Sequence, residues 1–182
     1  MNTNKAAMIV VLAASLLAAG GEACPGKTME MDDACHAVTS GPVLFDICMR
    51  TLRRVSWDNS NLTSYATGFA GAAAQACGAT QDAIEDVLRR GNFTGAVRDA
   101  VVRCKGRYRT ARGAIEGVRN QLFLCSYAGM EQGYMDAVAE IEACDENGPI
   151  GQTILYGMIS GNRDMTMIAL RLGKLLLKGK AA

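Results

Sequence analysis

The chain has 182 residues, 49% of them hydrophobic but only 5% aromatic, with 20 glycines and 3 prolines. Ala, Leu, Met and Ile outweigh Val, Phe and Trp, which favours helix over strand, excludes disorder and points to a single α-rich domain. Nineteen basic against eighteen acidic side chains leave a net charge of +1, without the basic excess of a general nucleic-acid binder, and one histidine, His36, excludes His-based triads and two-His zinc motifs.

In chain order, Lys5 precedes an apolar run from Ala6 to Ala19, followed by Gly20-Gly21-Glu22-Ala23. This has the charged start, apolar middle and small-residue end of a secretory signal, so residues 1–23 are set apart from the fold. The run is 14 residues, short of the roughly 20 that span a membrane. Gly21 stands where a lipid-anchored Cys24 would want Leu.

Residues 24–57, punctuated by Pro25, Gly26, Gly41 and Pro42, read as an N-terminal extension of short helical pieces folded back on each other. Residues 58–178 read as four helical segments forming an antiparallel up-and-down four-helix bundle, because apolar residues recur at alternating steps of three and four. In the first segment Leu62, Ala66, Phe69, Ala73 and Ala76 hold the seam, Gly78 suggests a kink, and Ala83, Val87 and Leu88 resume it. The second is unbroken: Val97, Val101, Cys104, Tyr108, Ala111, Ile115, Val118 and Leu122. The third uses Tyr127, Met130, Tyr134, Ala137, Ile141 and Cys144, and its end is marked by Asn147-Gly148-Pro149. The fourth uses Ile154, Met158, Met165, Ile168, Leu172 and Leu175, with Gly161-Asn162 weakening its start.

Seven cysteines in an exported chain read first as disulfides. The turn between the second and third segments centres near residue 124, so facing residues sum to about 248, as Cys104 and Cys144 do. Both lie on the shared seam, where a bridge can form. Cys35 and Cys48 pair most simply within the extension. Cys24, Cys77 and Cys125 stay unassigned, with buried thiols as the default.

No C-x-x-C, H-E-x-x-H, G-x-S-x-G, P-loop or dinucleotide fingerprint occurs, which favours a protein that is not an enzyme and needs no cofactor. The acidic neighbours Asp32-Asp33, Glu85-Asp86 and Asp145-Glu146 read as solvated faces, and His36 as structural or solvent-facing. Asn61-Leu-Thr63 and Asn92-Phe-Thr94 are candidate glycosylation sites in a eukaryote. Charge is polarised. From Thr94 to Leu124 seven bases (Arg98, Arg103, Lys105, Arg107, Arg109, Arg112, Arg119) face two acids (Asp99, Glu116), net +5; from Tyr127 to Gly148 six acids (Glu131, Asp136, Glu140, Glu142, Asp145, Glu146) meet no base, net −6. Such helices either exchange weak surface ion pairs or form a polarised docking surface.

Cys35, Thr39, Phe45, Cys48 and Leu52, then Cys104-Lys-Gly-Arg-Tyr108 with Ala111 and Ile115, Cys144, and Ala169-Leu170 with Leu172 together resemble the plant invertase and pectin methylesterase inhibitor family over roughly residues 30–177. The first cysteine gap is longer here than in that family, and Met167-Ile168 replace its usual Ser-Asn. The resemblance implies a four-helix bundle with an N-terminal helical hairpin that docks on a secreted carbohydrate-active enzyme and blocks its substrate cleft in a one-to-one complex. It also implies the Cys104–Cys144 pairing. The Pro-Lys-Phe motif of the family's invertase inhibitors is absent, with Met135-Asp136-Ala137 in its place, so pectin methylesterase is the expected target and invertase the alternative.

Glu131, Gln132, Asp136 and Glu140 are the candidate partner-binding residues. The expected location is extracellular, in the apoplast or cell wall, with no nucleic-acid partner and no membrane association once the signal is removed. Two other classes remain: a secreted helical carrier of an apolar ligand, whose cavity the methionines, alanines and glycines could line, and a cell-wall or seed structural protein without a target. Mass spectrometry of the native protein should find an N-terminus near Cys24; an intact stretch from Met1 to Leu17 would overturn the signal reading.

Overall fold

The computed structural model describes Cys24, residues 27–55, 61–91, Phe93, residues 95–144, Ile150 and residues 154–178. The signal-like segment, Asn92, Asp145, Glu146 and the Asn147-Gly148-Pro149 turn lie outside these residues. Six helices run in order: α1 (Met31–Val38), α2 (Pro42–Val55), α3 (Leu62–Arg90), α4 (Gly95–Phe123), α5 (Met130–Glu142) and α6 (Leu155–Lys178). Helices α3 to α6 form the bundle, each packing on two neighbours in the ring α3–α4–α5–α6, and no strand of a sheet occurs among the described residues. The hairpin α1–α2 lies against α3 and α6. The protein is thus all-α, an up-and-down bundle carrying a helical hairpin.

Local chemistry sets the helix ends. Asn61 caps α3, its side-chain oxygen accepting from the backbone N–H of Thr63 at 2.9 Å and of Ser64 at 3.2 Å. At the end of α4, Ser126 N–H donates to Gln121 O and Cys125 N–H to Leu122 O, a Schellman closure. Cys125 itself takes the left-handed position there, φ 56°, where glycine is usual. Close approach sets the spacing of the third helix: a Cβ on Gly133 would stand 2.6 Å from Val118 Cγ2, and one on Gly173 2.8 Å from the end of Met130. Glycine therefore lets α5 lie tight on both α4 and α6.

The α4 seam packs as its periodicity predicts, with Val101 through Leu122 buried and Val97 half-buried at the helix start. Two expectations need correction. Helix α3 runs as one helix through Gly78, its buried face continuing through Cys77, Thr80 and Ile84. The fourth seam is buried as expected at Ile168 and Leu172, but the buried stripe also takes in Leu155, Ile159, Asn162, Thr166, Ala169, Gly173 and Leu176, whereas Ile154 is 78% exposed. The third helix ends at Glu142, well before the predicted Asn147 signal.

The buried faces of α3 and α6 have one feature in common. Thr80, Asn162 and Thr166 are polar but occupy core positions, so hydrophobic periodicity passes over them. Asn162 Nδ2 donates to Thr80 Oγ1 at 2.7 Å and to Tyr108 OH at 3.2 Å, joining α6 to α3 and α4 inside the bundle. Thr80 and Thr166 hydroxyls each return a bond to the carbonyl four residues back, Ala76 and Asn162. Replacing Asn162 with alanine strands the Tyr108 hydroxyl and removes the inter-helix bonds. The expected loss is about 2–3 kcal/mol by chemical denaturation, against about 1 kcal/mol for Tyr108→Phe; equal, near-zero losses would show that the cluster does not hold the core.

Candidate docking site

The hairpin residues come together as one unit. Cys35 is bonded to Cys48, with Cα atoms 5.7 Å apart, and Thr39 Oγ1 donates to Cys35 O at 2.8 Å. Phe45 stacks on His36 with ring centroids 4.3 Å apart, and the exposed imidazole lies 3.4 Å from the Asp32 carboxylate. With Cys35 in a disulfide, His36 has no thiolate beside it. Cys104 is bonded to Cys144, with Cα atoms 4.8 Å apart, tying the middle of α4 to the end of α5.

Cys24 is bonded to Cys125, with Cα atoms 5.5 Å apart, and this corrects the default of buried thiols for both. Helical register could not place Cys24, because it lies in an irregular segment. That segment follows the base of α3, where Leu62 N–H donates to Lys27 O at 3.1 Å. The remaining cysteine, Cys77, is a buried thiol.

Of the four candidate contact residues, two are engaged within the fold. Glu140 accepts from Arg107 of α4 at 3.0 Å, and Glu131 pairs with Lys174 of α6. These pairs lie on opposite flanks of α5. Between them Gln132 donates to Asp136 Oδ1 at 2.7 Å, and both side chains are exposed. Met135, Ala139 and Glu142 share this outward face, Met135 with 44% exposure. The face is thus a short acidic strip with a methionine at its centre, a feature that acidic-residue counting alone did not reveal. Met135-Asp136-Ala137 are three consecutive residues inside α5, and Ala137 is buried, so they cannot protrude as a wedge.

The polarised charges divide in the same way. Arg107–Glu140 links α4 to α5, Lys105–Glu85 links α4 to α3 at 2.9 Å, and Arg112–Glu116 closes within α4 at 2.8 Å. The Lys105 ammonium, bonded to Glu85, holds that carboxyl below the usual carboxylate range. Among the described residues no group of His, Cys, Asp and Glu side chains could hold a metal ion, and no helix is long and apolar enough to cross a membrane. Asn61, the first sequon residue, is half-buried with its oxygen committed to the α3 cap.

Burial pushes the Cys77 thiol from 9.0 up to about 12, although the Arg112 guanidinium opposes the shift. Below the unfolded value both states hold the proton, so the contribution is fully present; it is lost as pH rises through the folded value. Stability should therefore decline between about pH 9 and 12, and less so in Cys77→Ala, as read by urea unfolding across that range. A native thiol that reacts with a maleimide at neutral pH as fast as the unfolded one would contradict this burial.

No protein-family profile matches the chain, and no curated protein matches it. The fold is shared with solved structures. One is mutant form A of a pectin methylesterase inhibitor from Arabidopsis, with a TM-score of 0.65 and 16% identity, covering 80% of this chain and 96% of that one. Another is a pectin methylesterase inhibitor from Arabidopsis thaliana, with a TM-score of 0.58 and 16% identity, covering 80% and 95%.

Proposed function

We propose that this chain is a secreted inhibitor that docks on a pectin methylesterase and covers its substrate cleft. The observation that carries the reading is a likeness in fold over 80% of the chain to two pectin methylesterase inhibitors, combined with a hairpin and a bundle each closed by a disulfide. The three disulfides support folding in an oxidising compartment, and hence export. The protein carries out no chemistry in this reading. Its affinity comes from a surface presented by a rigid scaffold.

The contact surface we assign is the outward side of α5 with the edge of α4 that borders it. Gln132 and Asp136, which face solvent with Met135 between them, meet the enzyme directly, while Glu131 and Glu140 are reached at the flanks. A central apolar side chain ringed by polar groups suits an interface, and the acids favour a basic or polar rim on the enzyme. An inserted wedge is not part of the mechanism, since α5 is regular where a Pro-Lys-Phe motif would stand, and this disfavours invertase as the target.

A second reading has one observation in its favour. Ile47, Ala76, Ala79, Met158, Gly161 and Met165 line an almost wholly apolar groove of about 350 Å³ between α2, α3 and α6, large enough for a small apolar ligand.

Titration of the mature protein against pectin methylesterase and acid invertase separates these readings. We expect inhibition of the esterase that weakens with salt, and a loss of about three- to fivefold in Gln132→Ala/Asp136→Asn, as for removal of an exposed charge contact worth up to ~1 kcal/mol. Inhibition of invertase alone would refute the target. Inhibition of neither, with displacement of a bound apolar dye, would establish the carrier reading.

A further inference from the structure

Seven-residue spacing puts four basic side chains in one line along α4: Arg98, Lys105, Arg112 and Arg119. Positions seven apart on a helix share a face and lie about 10.5 Å from each other, so the row extends about 32 Å. From Lys105 to Arg119 it follows the boundary with α3, where the three paired positions of the antiparallel helices each sum to 190. Lys105 meets Glu85. A Cβ on Gly78 would stand 3.4 Å from an Arg112 guanidinium nitrogen, and one on Gly71 would stand 3.3 Å from Arg119 Nε. The two glycines, one heptad apart, thus form a shelf on α3 against which the Arg112 and Arg119 guanidinium groups pack.

The shelf sets aside helix propensity, since each mid-helix glycine costs roughly 1 kcal/mol against alanine. It leaves the cations spread out, with Arg98, Arg112 and Arg119 exposed and Lys105 half-buried. Two acids partly neutralise the row, Glu85 on Lys105 and Glu116 on Arg112, both in exposed pairs. Arg98 and Arg119 make no ion pair or hydrogen bond among the described residues, nor does the neighbouring exposed Arg109.

We propose that this row is a binding track for a linear polyuronate, an unbranched polysaccharide with a free carboxylate on each sugar. A line of charges about 32 Å long, with Arg109 beside it, fits an extended, repeating polyanion better than the compact patch of an acidic protein. Single-stranded nucleic acid is disfavoured because the residues beside the row, Val102, Gly106, Arg109 and Gly113, include no aromatic ring on which a base could stack. The choice of uronate among anionic polysaccharides rests on the inhibitor reading, whose target acts on pectin. The track would hold the inhibitor on the de-esterified polymer beside its enzyme, leaving the α5 strip free to dock.

The test is binding of the full mature protein to polygalacturonate at low salt, with highly methyl-esterified pectin and single-stranded DNA as competitors and thermal melting as a check on folding. Polygalacturonate should bind best, and Arg98→Gln/Lys105→Gln/Arg112→Gln/Arg119→Gln should weaken it by about tenfold or more and flatten its salt dependence. The double variant Arg98→Gln/Arg119→Gln, which removes no ion pair or hydrogen bond among the described residues, should weaken it about threefold. Arg50→Gln/Arg53→Gln/Arg54→Gln on α2 removes three charges elsewhere and should change little. Equal losses on α2 and α4, equal binding of esterified pectin, or preference for DNA or an acidic protein would overturn the proposal. Esterase inhibition is read separately: binding without inhibition sinks the inhibitor reading, and inhibition without binding sinks the track.

Discussion

The side chain of Asn162 sits where three of the four bundle helices meet, and much of the architecture follows from it. A buried amide tolerates few geometries, because its hydrogens must find acceptors or the desolvation cost is left uncompensated. Thr80 on α3 and Tyr108 on α4 supply those acceptors at one rotation and one height of α6. An apolar seam could slide or turn by a residue at small cost; this one cannot. With α6 fixed, the platform for the hairpin is fixed too, and Arg171 of α6 donates to Val38 O of α1 at 3.0 Å.

Around that node three disulfides add covalent ties. Cys24–Cys125 joins positions 101 residues apart and secures the irregular entry segment to the end of α4. Loop entropy assigns such a closure roughly 4–5 kcal/mol, more than the shorter Cys35–Cys48 loop within the hairpin. The bridges thus fasten the entry segment, the hairpin and the α4–α5 pair, and Cys35, Cys48 and Cys104 are themselves fully buried. The middle of the bundle depends on Tyr65, Phe69, Tyr108, Ile115, Tyr134 and Ile141, all fully buried, together with the polar cluster.

Charge has little part in holding the fold together. The ion pairs are exposed or half-exposed, and such pairs contribute on the order of 0–1 kcal/mol each. Their effect is to sort the surface. Neutralisation along the α4–α5 and α3–α4 boundaries leaves Gln132, Asp136 and Glu142 on one outward face and Arg98, Arg109 and Arg119 on another. Two helices of opposite sign thus yield two separate surfaces rather than one cancelled face, each able to meet a different partner.

The sequence alone determined the helix count, the antiparallel order and the face of α4, because long apolar repeats at steps of three and four admit no other regular structure. It also located Cys104 opposite Cys144, since hairpin register is arithmetic once the turn is known. Tertiary structure decided the rest. Asn162 and Thr80 are buried because they satisfy each other across helices, a complementarity no local pattern displays, and the buried α6 stripe therefore includes polar positions that the apolar repeat passes over. Cys24 found Cys125 because an irregular segment follows the base of α3, and no period governs such a path. Which acids of α5 are free and which are engaged was decided by where α4 and α6 placed Arg107 and Lys174, for a charge is known from sequence but its partner is fixed only in space.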